Sequence, residues 1–357
     1  MPETVSCQVA AYYFPNWHPC PRNDRTYGPG ESEWKVVRSA VPRFPGHEQP
    51  KVPLWGYHDE ADPRTAEKII AVAAAHGIDA FIYDWYWSEE GPFLQEALEA
   101  GYWQARNNDR LGFGIMWANH QRVSRETFDR AISHVVRLYF PHRSYWRIDG
   151  APYFSIYELN TLIAGLGGIA ETRAALASLR ARTVEAGFPD LHLNAVEFGV
   201  RDIPGMDRAH RSALLVELGF DSVTSYVWAH DPVLPDFPCN PYPEVAERIY
   251  RQWEAFRQEF TIPYHPNVTM GWDPWPRAAA TDFAPGPYPR TPIITGNTPE
   301  EFRRALQRAK EFLAANAQQR IVTINAWNEW TEGSYLEPDT THGTAYLQAI
   351  RGVFREG

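Results

Sequence analysis

The feature that most constrains this chain is a rhythm: short apolar runs of strand length alternate with longer amphipathic runs of helix length, eight times over. The apolar runs are residues 8–14, 79–83, 113–117, 153–157, 191–196, 222–226, 264–270 and 321–327. Helical patterning follows each of them, at 62–76, 93–106, 125–139, 168–186, 207–218, 242–260, 298–315 and 343–355. Several ends are marked chemically. Asp62 precedes Pro63 as a cap before a first-turn proline, Gly77 stands just past the same helix, and Thr298-Pro-Glu-Glu301 combines a cap with an acidic first turn. Strict alternation implies a parallel sheet, and eight repeats imply closure. The expectation is therefore α/β, a single (β/α)8 TIM barrel over residues 1–357. The competing open, doubly wound sheet would carry a glycine-rich phosphate turn after its first strand, where this chain has Pro15-Asn-Trp-His18.

A barrel of this kind builds its active site just beyond the carboxyl ends of its strands. Those positions are rich in carboxylates, amides and aromatics. In chain order they are Tyr13, Trp17 and His18; Asp84 and Trp85; Trp117, Asn119 and His120; Glu158; Glu197; Trp228; Trp272 and Asp273; and Trp327, Asn328, Trp330 and Tyr335. All are expected to line a substrate site. The long stretches 15–61 and 271–297, rich in Pro, Gly and aromatics, are expected to wall it.

The last strand runs into Asn325-Ala-Trp-Asn-Glu-Trp-Thr-Glu-Gly333, which carries Glu329 and Glu332. In an extended chain these two would point to opposite faces; in a helical-type turn their Cβ atoms lie about 5–6 Å apart on one side. Carboxyl groups at about 5–5.5 Å suit a glycosidase that retains anomeric configuration, whereas about 6.5–9.5 Å suits inversion. Trp327 and Trp330 are expected to form apolar walls that raise one carboxyl pKa.

Composition narrows the partners. A formal charge of −10 disfavours nucleic acid and anionic membrane surfaces, and no apolar run reaches the roughly 20 residues of a membrane span. The 14 tryptophans fit a carbohydrate partner, because the indole face stacks on the C–H face of a sugar ring. Cys7, Cys20 and Cys239 form no CxxC and no metal motif, so no cofactor or metal is expected. Residues 1–7 lack the basic and apolar regions of a secretion signal, and a reduced cytoplasmic setting is the default expectation.

The segments 11–18, 77–87 (Gly-Ile-Asp-Ala-Phe-Ile-Tyr-Asp-Trp-Tyr-Trp), 145–157 (Tyr-Trp-Arg-Ile-Asp-Gly-Ala-Pro-Tyr-Phe-Ser-Ile-Tyr) and 325–338 together resemble the glycoside hydrolase family 99-like group, which includes WbsX-type proteins. The resemblance spans almost the whole chain. It implies a retaining hydrolase in which the Glu-x-x-Glu pair performs the chemistry. Glu329 would deprotonate the substrate's own 2-hydroxyl to give a 1,2-anhydro sugar, and Glu332 would serve as acid/base at the glycosidic oxygen. Two other readings stand beside it: a glycosyltransferase of polysaccharide assembly, and a sugar-binding barrel without catalysis. A transferase would be expected to carry a DxD tripeptide, a glycine-rich phosphate turn or a basic cluster, and none is visible in the sequence.

Overall fold

A computed structural model describes residues 7–356, except 31, 202, 204, 205, 232, 282 and 316–319. The segment 1–6, most of the stretch read for a secretion signal, lies outside the described residues.

Eight parallel strands form the centre: β1 (Gln8–Tyr13), β2 (Ala80–Ser88), β3 (Gly112–Trp117), β4 (Ala151–Ile156), β5 (His192–Val196), β6 (Ser222–Thr224), β7 (Tyr264–His265 and Asn267–Thr269) and β8 (Ile321–Asn325). Each pairs with its sequence neighbour, and β1 also pairs with β8. Strand β7 is interrupted at Pro266, which has no N–H to donate. Its first piece pairs with β6 and its second with β8, so the ring closes across the proline. The chain is a (β/α)8 barrel.

Around the ring lie α1 (Pro63–Ala75), α2 (Ala97–Tyr102), α3 (Arg125–His134), α4 (Ile169–Glu185), α5 (Arg208–Glu217), α6 (Tyr242–Glu259), α7 (Pro299–Ala314) and α8 (Ala345–Phe354). The Asp62 carboxylate caps α1 by accepting from Arg64 N, and the Thr298 hydroxyl caps α7 by accepting from Glu301 N. Helix α2 is much shorter than the predicted 93–106. At its start the reason is local: β2 runs on past Tyr83 and folds back on Gly91–Phe93 as a hairpin, which takes Phe93 and delays the helix; at its end the chain turns off after Tyr102.

The barrel interior is partly polar. The Ser155 hydroxyl donates to Asn194 Oδ1 at 2.8 Å, Asn194 Nδ2 donates to Ser222 Oγ at 2.8 Å, and the His192 imidazole lies 2.8 Å from the same hydroxyl. Buried polar groups need such partners, and here three neighbouring strands supply them. Among the described residues no single helix is long and apolar enough to cross a membrane.

The two long loops carry more structure than their composition suggests. The first holds short helices at Pro21–Tyr27 and Trp34–Ser39; the second holds a turn at Trp275–Arg277 and a strand, Ile293–Thr295, that pairs with Cys239–Pro241. They are also tied to each other. Arg43 donates to the carbonyls of Ala278 at 2.8 Å and Ala279 at 2.7 Å, and His47 Nε2 and Gln49 Nε2 each lie 2.7 Å from Asp273 Oδ2.

Candidate active site

Past β8 the chain forms a tight hairpin. Asn328–Glu329 pairs antiparallel with Ser334–Tyr335, the turn Trp330–Glu332 joins them, and Gly333 reverses the chain at φ 64°. A Cβ at Gly333 would stand 2.9 Å from Asp273 Cβ, so both backbone and space demand glycine there. The turn brings Glu329 and Glu332 to one cavity of about 540 Å³ at the carboxyl ends of the strands. Asp84 from β2, His120 beyond β3, Glu158 beyond β4 and Trp272 beyond β7 line the same cavity.

One guanidinium organises the carboxylates. Arg277 Nη1 donates to Glu332 Oε1 at 2.6 Å, Arg277 Nη2 lies 3.6 Å from Glu329 Oε2, and Arg277 Nε lies 3.3 Å from Glu33 Oε2. The Tyr288 hydroxyl donates to the same Glu332 oxygen at 2.7 Å. On the other side, the Tyr226 phenol donates to Asp84 Oδ2 at 2.9 Å and stands 3.4 Å from Glu329 Oε1. Burial drives the Glu329 carboxyl well above its usual range; Glu332 and Asp84 add to the rise and Arg277 opposes it. Asp84 is likewise raised, first by burial, with the Tyr226 hydrogen bond opposing. Such a carboxyl is a strong base once ionised, and an acid that keeps its proton near neutrality.

Across the barrel, His120 Nδ1 lies 3.0 Å from Glu158 Oε1, and this contact lowers the Glu158 pKa. The Tyr157 hydroxyl lies 3.2 Å from His230 Nε2. Burial depresses the His230 imidazole to about 3, and Arg201 adds to the depression. Among the described residues no group of three His, Cys, Asp or Glu side chains converges as a metal ion would require.

The sequence profile described as glycosyltransferase WbsX matches residues 9–350. The chain belongs to that family. A curated relative from Xanthomonas campestris pv. campestris strain B100, the uncharacterized protein WxcX, is 29% identical over 370 residues, covering 98% of this chain. The chain spans about half the length of that relative, 50%. Among solved structures, the GH99 endo-α-mannosidase of Bacteroides thetaiotaomicron superposes with a TM-score of 0.60 at 17% identity, covering 98% of this chain and 96% of its own. A glycoside hydrolase-like protein does so with a TM-score of 0.65 at 16% identity, covering 98% and 94%. At these identities the likeness is one of fold.

Many aromatics expected at the cavity belong instead to the packing behind it. Tyr13 stacks on Tyr83, Trp85 donates to the Tyr139 hydroxyl at 3.1 Å, and Trp117 packs on Phe128. Trp228 donates to the Asn267 carbonyl at 2.8 Å, and Trp17 joins Trp34, Trp330 and Tyr335 in a separate apolar cluster. The walls expected from Trp327 and Trp330 are absent: their indole N–H groups turn to Glu337 at 3.2 and 2.8 Å. For Tyr13, Trp85 and Trp117 the physical reason is the two-residue period of a strand, which sends every second side chain away from the barrel axis; Trp17, Trp228, Trp327 and Trp330 lie beyond the strands, where the turns carry them into the packing.

The polar corrections have equally local causes. His18 is buried between Glu60 at 2.9 Å and Glu96 at 3.3 Å; against the effect of burial, these hydrogen bonds raise its pKa to about 10. Asn119 is spent on the Glu158 backbone, its Oδ1 accepting from N at 2.9 Å and its Nδ2 donating to O at 2.7 Å. Asn328 does the same for Phe14, at 2.8 and 3.0 Å. Glu197 pairs with Arg201, and Tyr335 donates to Asp339 at 2.9 Å. Asp273 faces a separate cavity of about 150 Å³ behind the hairpin, which Trp272 also lines. Sequence reasoning missed Arg277, Tyr288 and Tyr226. Tyr226 closes a predicted strand and was readable as a rim residue. Arg277 and Tyr288 lie inside a loop whose path no periodicity reveals.

Proposed function

We propose that this chain is a retaining glycoside hydrolase that acts on a glycan through the substrate's own 2-hydroxyl. The observation that carries the reading is the pair Glu329 and Glu332 facing one cavity, with the Arg277 guanidinium 2.6 Å from one carboxylate and 3.6 Å from the other. In this scheme ionised Glu329 takes the 2-hydroxyl proton as O2 attacks C1. The glycosidic C1–O bond breaks, and the leaving oxygen takes a proton from Glu332. Glu332, now ionised, removes a proton from water as that water opens the 1,2-anhydro ring at C1, and O2 recovers its proton from Glu329. Two inversions at C1 give net retention. The GH99 name of the structural neighbour supports the reading, as does the high proton affinity of Glu329, which suits removal of a proton from an alcohol.

Digestion of a glycan panel, with products resolved by NMR as they form, tests this directly. The expected result is release of a sugar with retained configuration, no turnover of 2-deoxy analogues, and a loss of at least about 10³-fold in Glu332→Gln with binding preserved. Unchanged turnover in Glu332→Gln sinks the assignment, and normal cleavage of a 2-deoxy substrate sinks the mechanism. The family description raises a transferase as the second reading; transfer from a nucleotide sugar without hydrolysis of any glycan would favour it.

A further inference from the structure

Carboxyl groups outnumber cations around the cavity. Asp84, Glu158, Glu329 and Glu332 line it, and among the described residues Arg277 is the one Lys or Arg that does so. Arg277 is already committed to Glu33, Glu329, Glu332 and Tyr288. Each lining imidazole has one nitrogen engaged, His120 Nδ1 at Glu158 and His230 Nε2 at the Tyr157 hydroxyl, while His230 Nδ1 has no partner among the described residues. Burial keeps His230 uncharged near neutrality. A carboxylate or phosphate brought into this space would meet the ionised Glu158 and a guanidinium already shared among three carboxyl groups, in surroundings that screen charge poorly.

The wall across the barrel from β8 has a second character. Met116 at the end of β3, Ala118 just beyond it, Phe198 after β5 and Ala229 after β6 present thioether, methyl and ring surface to the cavity. Phe198 lies against the uncharged His230 ring at a centroid distance of 4.2 Å, which extends the apolar face. A sugar hydroxyl set against Met116, Ala118, Ala229 or the Phe198 ring would lose its water without gaining a partner, whereas a methyl group would lose nothing.

We infer that the cavity takes a neutral sugar bearing a methyl-type substituent, as a 6-deoxy or an N-acetyl group provides, and rejects sugars carrying carboxylate or phosphate. This rests on the glycosidase reading of the same site and names its substrate class. The apolar wall supplies the preference, and the ionised Glu158 with the absence, among the described residues, of an uncommitted lining guanidinium or ammonium supplies the rejection.

Binding to the full chain tests it, read by NMR titration. The probes are the methyl glycosides of a hexose, its 6-deoxy form, its 2-acetamido form and its uronate, in the gluco, galacto and manno series, with a nucleoside-diphosphate hexose as a further arm. In at least one series the 6-deoxy or acetamido sugar should bind about tenfold tighter than the parent hexose. Which of the two does so identifies the substituent. The uronate and the nucleotide sugar should bind at least about a hundredfold more weakly. Met116→Gln should erase most of the preference by giving the hydroxyl a partner. The inference is overturned if the parent hexose wins in every series, if the uronate or nucleotide sugar binds comparably, or if no glycoside binds. Failure of the hydrolase reading looks different: Glu332→Gln would keep full turnover while the binding order stood.

Discussion

Arg277 holds three carboxylates from two separate parts of the chain, Glu33 in the first long loop and Glu329 and Glu332 after β8. Its side chain is 19% exposed, so removing it strands negative charge where water reaches poorly. Arg277→Met should cost about 3–5 kcal/mol of stability, because breaking a mostly buried pair leaves the partners uncompensated. It should also abolish turnover. Arg277→Lys should recover part of the stability and little of the rate, since an ammonium restores charge without the planar fork. Urea denaturation alongside initial rates would separate the two effects; an Arg277→Met protein of unchanged midpoint would contradict the account. At this scale the sequence shows the acids but not their partner. Glu329 and Glu332 sit three residues apart in one motif, whereas Arg277 reaches them only because the loop after β7 folds over them. The tryptophans mislead for the converse reason: residue type marks Trp85, Trp117, Trp228 and Trp327 as sugar platforms, but strand alternation turns the first two into the packing and the turns past the strands do the same for the others.

The hairpin after β8 is the element that converts a sequence motif into a site. Its reversal depends on Gly333, whose φ of 64° disfavours other residues and whose missing Cβ admits Asp273. Gly333→Ala should destabilise the fold by about 1–3 kcal/mol. On the proposed mechanism it should also lower kcat more than it raises KM, because Asp273 N donates to the Glu332 carbonyl at 2.5 Å and any shift there moves the carboxyl proposed as acid/base. Differential scanning fluorimetry with steady-state kinetics would show it, and a variant with wild-type Tm and kcat would refute it. Elements with caps were legible to within a residue or two, as with α1 behind Asp62 and α7 behind Thr298. The failure at 93–106 has a clear origin: the helix pattern was real, but pairing of Ser88 with Gly91 and of Tyr86 with Phe93 competed for its start and won.

For the molecule as a whole, the buried imidazoles set the acid limit. His192 is depressed to about 4 and His265 to about 3, both chiefly by burial, and His230 to about 3. Each binds a proton more weakly in the folded chain than at the unfolded value of about 6.5. The stability they permit is therefore complete above pH 6.5 and falls as the pH drops below it, by about 1 kcal/mol per histidine per pH unit. Asp84 and Glu329 act in the opposite sense: their contribution is complete below the ordinary carboxyl range and is lost as the pH rises from there to their raised values, an interval that overlaps the histidines'. The histidines and the raised carboxyls therefore oppose each other between pH 6.5 and 5, and removing one histidine exposes its share. On acidification over this interval the urea midpoint of His265→Gln should gain relative to the parent, and identical slopes in the two proteins would exclude the histidine account. The barrel itself was legible because eight repeats of one period leave few topologies, whereas the break of β7 at Pro266 and the polar interior depend on contacts between strands far apart in sequence. The ties between the two long loops, through Arg43, His47, Gln49 and Asp273, have a consequence for inheritance. Neither loop is a free module: a graft that transplants one without the other parts His47 from Asp273 and Glu33 from Arg277. In a lineage that reshapes this cavity, the two loops should therefore be exchanged as a matched set or not at all.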